Sequence, residues 1–100
     1  MITLDEMKQW LRMDIDDDDE LILNLIQTSE SSIEIATGVT KEFVRNCEDK
    51  TLNNLYKMAQ RIIVTDLYNE KSIENKALTS FYIQIEARYI NLCQNWVDFQ

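Results

Sequence analysis

The sequence predicts an all-α fold. We expect residues 1–100 to form one small domain, a bundle of about four helices. Apolar residues recur at intervals of three and four over long segments, the spacing that places them on one face of a helix. The chain has one glycine and no proline, whereas sandwiches and barrels are usually rich in both residues at their many turns. Hydrophobic residues make up 45% of the chain, which is enough for one modest core.

The first predicted helix covers about residues 4–12. Thr3 can cap its start and Glu6 lies three residues later, which together form a capping box. Ile2 precedes the cap and can pack onto Met7 as a hydrophobic staple. The apolar face of this helix consists of Leu4, Met7 and Leu11, with Trp10 beside it.

The second predicted helix covers about residues 18–37. We expect Asp17 to be its N-cap, with Glu20 at the third helical position as in a capping box. Gly38 fits the left-handed position that follows the end of a helix. The apolar stripe is formed by Leu21, Ile22, Leu25, Ile26, Ile33 and Ala36, with Ser29 and Ser32 between them.

Residues 39–50 are expected to be a connector that can include a short turn of helix from Thr40. A third helix is predicted over about residues 52–69, and residues 70–77 are expected to form a loop. The apolar face of the third helix consists of Leu52, Leu55, Tyr56, Ala59, Ile62, Ile63 and Leu67.

Two residues on the apolar stripes of the long helices, Leu25 and Ile62, are predicted to be core residues. Asp66 also falls within the apolar face of the third helix. It is either a carboxylate at the edge of the core, capping or pairing locally, or a polar contact to another chain.

The fourth predicted helix covers about residues 79–96. Apolar residues over 81–89 also alternate as in a strand, but eighteen residues is long for a strand. The sequence leaves open whether the tail from about residue 91 is ordered. Seven apolar residues lie off the stripes of all four helices, and we expect another chain to cover some of them. These residues are Leu23, Ile35, Val64, Ile83, Ile90, Val97 and Phe99.

The composition argues against catalysis and against a metal or cofactor site. The chain has no histidine and two cysteines, so the commonest general base and zinc ligand is missing. The spacing Asp14-x-Asp16-x-Asp18 is similar to the start of a calcium loop, but Asp19 and Leu25 stand where that loop needs glycine and glutamate. We therefore expect no catalytic residue, no cofactor and no metal, and we expect the cysteines to be reduced, buried thiols.

The charge argues against binding to nucleic acids and the apolar pattern against membranes. The formal net charge is −8, from 18 acidic and 10 basic residues. An acidic chain repels a phosphate backbone, so sequence-specific DNA binding is disfavoured. No apolar run approaches the roughly 20 residues of a membrane span.

Three sequence motifs occur in a fixed order. The first helix ends in Leu11-Arg12-Met13-Asp14, and after an acidic stretch the second opens with Asp18-Asp19-Glu20-Leu21-Ile22 and has Gly38 near its end. The third ends in Leu67-Tyr68-Asn69-Glu70-Lys71, and the last contains Leu78, Ser80 and Gln84-Ile85. Over roughly residues 2–90, this pattern resembles the small helical head–tail connector proteins of long-tailed bacteriophages. These proteins are also called adaptor or head-completion proteins and are often labelled DNA-packaging proteins.

The resemblance implies a structural role without catalysis or a cofactor. Copies of the chain would form a ring, dodecameric on the portal protein, that extends the DNA channel and docks the stopper or tail-completion protein. DNA would pass through the channel passively, and no membrane would be involved. The protein would lie at the head–tail junction of the virion, after a stage in the bacterial host cytoplasm. The alternative function is that of a small acidic helical module that regulates or binds another protein.

A closed ring needs two different, complementary faces on each subunit. Residues 14–20 carry six acids and no base, whereas residues 41–61 carry five bases and three acids. Contact between these segments of neighbouring copies is one hypothesis, and the alternative of equal weight is that both are solvated helix surfaces. The candidate interface residues are Asp16, Asp17, Asp18, Asp19, Glu20, Lys41, Arg45, Lys57 and Arg61.

Overall fold

The computed structural model describes residues 1–13, 16–70 and 76–98, with side chains up to residue 94. These ranges contain five helices and no strand, so the predicted all-α fold is confirmed. The helices are α1 Leu4–Leu11, α2 Asp19–Thr37, α3 Lys41–Asn46, α4 Lys50–Tyr68 and α5 Lys76–Asp98. The short α3 is the turn of helix expected after Thr40, and α5 shows that residues 81–89 are helical and do not form a strand.

The predicted caps of α1 and the predicted end of α2 are confirmed. Thr3 Oγ1 accepts a hydrogen bond from the Glu6 N–H, and the Glu6 carboxylate accepts one from the Thr3 N–H, both at 3.2 Å. Ile2 and Met7 lie buried in the same apolar cluster. Gly38 ends α2 with a φ of +76°, in the left-handed region that glycine adopts at little cost.

The predicted start of α2 is wrong by one residue. Asp18 is the N-cap, and its carboxylate makes no hydrogen bond to the backbone of the first turn. It accepts a hydrogen bond from the Tyr68 hydroxyl at 2.7 Å instead. A contact with the end of α4 therefore replaces the local capping box expected from Asp17 and Glu20.

The start of α4 is fixed by a carboxylate that the sequence analysis did not single out. Asp49 Oδ2 accepts a hydrogen bond from the Leu52 N–H at 2.8 Å, so α4 begins at Lys50 and not at Leu52. The Arg88 guanidinium donates to both carboxylate oxygens of Asp49, at 3.0 and 2.8 Å. One side chain thus caps α4 and joins it to α5.

The central helix is α4, which packs along α2 on one side and along α5 on the other, with α1 and α3 against it as well. Two apolar clusters result. The α1 cluster consists of Ile2, Met7, Ile22, Ile26 and Val64. The larger main cluster consists of Ile33, Val39, Val44, Leu52, Tyr56, Ala59, Ile63, Leu78 and Ile85.

Several burial predictions need correction. Leu25 and Ile62 are half-buried at the edges of the clusters and are not core residues. Leu21 and Ala36 are exposed although they were assigned to the apolar stripe of the second helix. Val64 was assigned to the outside but is fully buried, because α1 packs across that side of α4.

Gln60 is a fully buried polar residue that the sequence analysis missed. Its Oε1 accepts a hydrogen bond from the Ile2 N–H at 3.0 Å, and its Nε2 donates to Ser29 Oγ at 3.1 Å. Ser29 Oγ in turn donates to the Ile26 carbonyl at 2.6 Å. These bonds join the segment before α1 to α2 and α4, and the small Ser29 lets the two long helices approach.

Candidate subunit interface

The acidic segment before α2 is partly neutralised within the chain. The Lys8 ammonium lies 2.6 Å from Asp16 Oδ1 and 2.8 Å from Asp19 Oδ1. The hydrogen bond with Lys8 lowers the pKa of Asp16, and the bonds to Asp16 and Asp19 raise the pKa of Lys8. Asp17 and Glu20 are exposed. Asp16 is exposed too, so three of the five predicted acids are accessible, and of these Asp17 and Glu20 form no ion pair with a described residue.

The two predicted bases on α4 interact with α1. Lys57 Nζ lies 3.1 Å and Arg61 4.0 Å from the same oxygen of Glu6. Partial burial alone would raise the pKa of Glu6, but its hydrogen bonds with Lys57 and Thr3 outweigh that effect and the pKa is lowered. The Arg61 guanidinium also lies 5.4 Å from the centre of the Trp10 ring, within the range of a cation–π contact.

The other two predicted bases lie on α3. Arg45 is exposed and Lys41 is half-buried, and neither forms an ion pair with a described residue. An open groove of about 350 Å³ runs between α2 and α3 beside Lys41. Its lining residues are Gln27, Glu30, Ser31, Glu34, Lys41 and Glu42. The predicted basic face is therefore divided between two helices, and each half lies beside different acids of the same chain.

Asp66 is half-buried on α4. This position fits a carboxylate at the edge of the core, one of the two interpretations offered by the sequence. Its contact with another chain stays a prediction.

Four of the seven apolar residues predicted to lie off the main stripes are exposed. Their exposed fractions are 44% for Leu23, 86% for Ile35, 62% for Ile83 and 53% for Ile90. Val64 is buried, and the side chains of Val97 and Phe99 lie outside the described residues. Trp10 and Leu21 are also about half exposed. The described surface thus carries more accessible apolar area than its acidic composition suggests.

The described residues contain no group of three or more acidic, cysteine or histidine side chains that could hold a metal ion. Asp14, the first residue of the calcium-like spacing, lies outside them. Cys47 and Cys93 are free thiols, as expected, but both are half-buried and not fully buried. None of the described helices is both long enough and apolar enough to span a bilayer.

Comparison with known proteins identifies the family. The family model of phage gp6-like head–tail connector proteins matches residues 1–90. Neither the curated proteins nor the solved structures contain a significant match. The matched range starts before α1 and includes most of α5, so it covers nearly the whole described fold. The chain therefore belongs to the gp6-like family of phage head–tail connector proteins, whose place is the head–tail junction of the virion.

Proposed function

We propose that the chain is the subunit of a ring that forms below the portal protein, extends the DNA channel and docks the stopper or tail-completion protein. The main support is the family match over residues 1–90. The role is structural and involves no catalysis or cofactor, and the dodecameric number follows that of the portal by resemblance. The subunit would be present in the host cytoplasm until the packaged head recruits it.

DNA would pass through this ring without being held. A net charge of −8 repels a phosphate backbone. Lys57 and Arg61 already lie beside Glu6, which further reduces the positive charge available to DNA. An acidic wall of the proposed channel would therefore let DNA pass through without binding it.

A genetic experiment on the phage or prophage that encodes the chain tests this function. Deletion of the gene should give filled heads and separate tails that do not join, and the wild-type chain supplied in trans should restore joined particles. Electron microscopy of the particles reads out the result. Joined, infectious particles in the absence of the chain would overturn the proposal. They would favour the alternative of a small acidic regulatory module, especially if the purified chain stays monomeric or dimeric at all concentrations.

The charged segments remain a proposal for part of the contact between ring neighbours. Asp16–Glu20 of one copy would face the basic residues of the next. Asp17, Glu20, Lys41 and Arg45 contribute most, because the other predicted residues have partners within their own chain.

Charge reversal tests this contact. Lys41→Glu together with Arg45→Glu should weaken self-association, and Asp17→Lys with Glu20→Lys in the same chain should restore it. Lys50→Glu together with Arg12→Glu, at two exposed bases outside the candidate residues, is the matched control because it changes the net charge by the same amount. Equal loss in the control would show that the effect comes from net charge and not from this contact.

A further inference from the structure

The outer face of α2 carries a stripe of uncharged side chains. Its members follow one another at intervals of three, four, three and four residues, and all five are exposed. They lie on the side of α2 away from the buried Ile22, Ile26 and Ile33. The α2 stripe consists of Leu21, Asn24, Thr28, Ser31 and Ile35.

The outer face of α5 carries a second stripe of the same kind. Its five members follow at intervals of three, four, three and four residues, and all are exposed. They lie opposite the buried Leu78 and Ile85. Between Lys76 and Asp98 the helix has two charged residues, Glu86 and Arg88, and both lie beside the stripe and not on it. The α5 stripe consists of Ser80, Ile83, Ala87, Ile90 and Gln94.

These two stripes are unusual for the solvent side of a helix. Outer helix faces are normally charged, and this chain has 28% charged residues. The alternation of three and four residues is the spacing with which one helix packs along another. Centres of protein interfaces are depleted of charge. Both stripes therefore have the composition and the spacing of helix-packing surfaces, although within one chain nothing among the described residues covers them.

We propose that the α5 stripe of one copy packs along the α2 stripe of the next copy. This inference deepens the ring proposed above and rests on it. Each stripe runs over fourteen residue steps, about 21 Å of helix, so the two have equal length. Their centres, Thr28 and Ala87, face each other when the ends are aligned.

The side-chain sizes match at two positions in either direction. In the parallel arrangement Leu21 meets the small Ser80 and Ile90 meets the small Ser31, and in the antiparallel one Ile35 meets Ser80 and Ile83 meets Ser31. The charges next to the stripes therefore decide the direction.

In the parallel arrangement, the exposed Asp17, which precedes α2 by two residues, comes beside the exposed Lys76 at the start of α5. An antiparallel arrangement would separate these opposite charges, so we assign the parallel one. Because Lys41 and Arg45 lie near the start of α4 and Lys76 toward the end of α4, this position of Asp17 is an alternative to its contact with Lys41 and Arg45 proposed above.

Pairing of α5 with α5 explains the surface less well. It would leave the whole α2 stripe in water, including Ile35, which is 86% exposed. Pairing between different stripes covers both faces, and it leaves one stripe of each kind free on a growing chain of subunits until a ring closes. An uncharged contact also suits copies that each carry a net charge of −8. Because one helix pair is a small interface, free copies would associate weakly and a portal that holds them side by side would strengthen the contact.

Three variants at the centre of the two stripes test the pairing. Thr28→Arg and Ala87→Glu each place an unpaired charge in the contact. Each should raise the concentration needed for self-association at least about tenfold. The double variant brings Arg and Glu together at every contact and should recover most of the loss. Sedimentation equilibrium over a concentration series measures the association.

Matched controls use exposed positions of α4 outside both stripes. Thr51→Arg and Asn54→Glu repeat the same changes of charge and should leave association unchanged. Circular dichroism melting should show that all variants fold, since every substituted side chain is exposed.

The outcomes separate this inference from the proposed function. Wild-type association that survives both Thr28→Arg and Ala87→Glu would overturn the pairing and leave the ring intact. Loss in Ala87→Glu alone, without recovery in the double variant, would overturn it in favour of α5 against α5. A wild-type chain that never associates, free or on its portal, would overturn the ring itself and the pairing with it.

Discussion

Gln60 uses both ends of its side-chain amide in the interior. The Ile2 N–H is buried and needs a hydrogen-bond acceptor within the protein. Gln60 Oε1 accepts its hydrogen bond, which fixes the position at which the chain enters α1. A glutamine in the middle of a helix gives no sequence signal of burial, because glutamines are usually exposed. Only the packing of α2 and of the segment before α1 against α4 shows that this one lies inside.

Gln60→Leu should lower the free energy of unfolding by about 1–3 kcal/mol, the usual cost of leaving a buried hydrogen-bonding group without a partner. Leucine fills similar volume, so the loss reports on the Ile2 N–H and not on a cavity. Urea unfolding measures it. Gln84→Leu, the same change at an exposed position of α5, should stay within about 0.5 kcal/mol of wild type. Equal effects at both positions would contradict this account of Gln60.

Tyr56, in contrast to Gln60, carries a buried polar group without a hydrogen-bond partner among the described residues. The group is the hydroxyl of its ring, which is fully buried in the main cluster. Desolvation, together with the nearby Glu30 and Glu34, raises the pKa of the hydroxyl. Because the unfolded chain ionises at about pH 10 and the folded chain resists ionisation, stability falls as the pH rises above 10.

Tyr56→Phe should therefore be at least as stable as wild type at pH 7, since it removes a buried polar group without a partner. Above pH 10 the variant should lose less stability than wild type. Thermal melts at pH 7 and at pH 10–11 check both statements. A clear loss in the variant at pH 7 would mean that the hydroxyl has a partner, such as a bound water.

At the scale of the helices, neighbouring isoleucines on α4 differ in burial. Ile63 is fully buried in the main cluster, whereas Ile62 is half-buried at its edge. The 3.6-residue period places both on the apolar face, and only the positions of α2 and α5 around α4 distinguish them.

Ile63→Ala should cost about 2–5 kcal/mol in the free energy of unfolding, because it leaves a cavity in a packed core. Ile62→Ala should cost clearly less, since its surroundings can relax toward solvent. The two variants make the same chemical change and serve as controls for each other in urea titrations. A larger loss for Ile62→Ala would invert the assignment of the buried face.

The sequence predicts what depends on near neighbours along the chain. The capping box of Thr3 and Glu6, the glycine at the end of α2 and the helical spacing of α5 all arise within a few residues. Contacts between distant segments are not predictable in this way. Asp18 is held by Tyr68, 50 residues later, and Lys57 by Glu6, 51 residues earlier.

The distinction between near and distant contacts also explains how far the candidate interface could be predicted. Counting charges along the chain gave an acidic and a basic segment, but could not show that Lys8 neutralises part of the first and Glu6 part of the second. Exposed apolar residues were predicted more successfully, because a residue off the helical stripe is usually on the outside. The prediction for Val64 was wrong because α1 covers that side of α4.

At the scale of the whole molecule, the net charge decides the response to DNA. The chain should bind no duplex DNA with useful affinity by itself, because non-specific binding depends on several Lys or Arg contacts with phosphates. Repulsion should be strongest at low salt, where the Debye length is about 30 Å and distant charges still interact. A gel-shift titration at low salt, with a basic protein of similar size as positive control, measures this. Sub-micromolar binding that weakens steeply with salt would overturn the passive-channel mechanism.

The division of the interior into two clusters has a consequence for hydrogen exchange. One residue of α1, Met7, is fully buried, and the other contacts of this helix are ion pairs and half-exposed side chains, such as the hydrogen bond from Trp10 to Thr65. Opening of α1 would expose the α1 cluster and leave the main cluster intact. In heavy water, the amides at the end of α1 should exchange through this partial opening well before those around Ile63. Equal protection of both helices would mean that the molecule opens only as one unit.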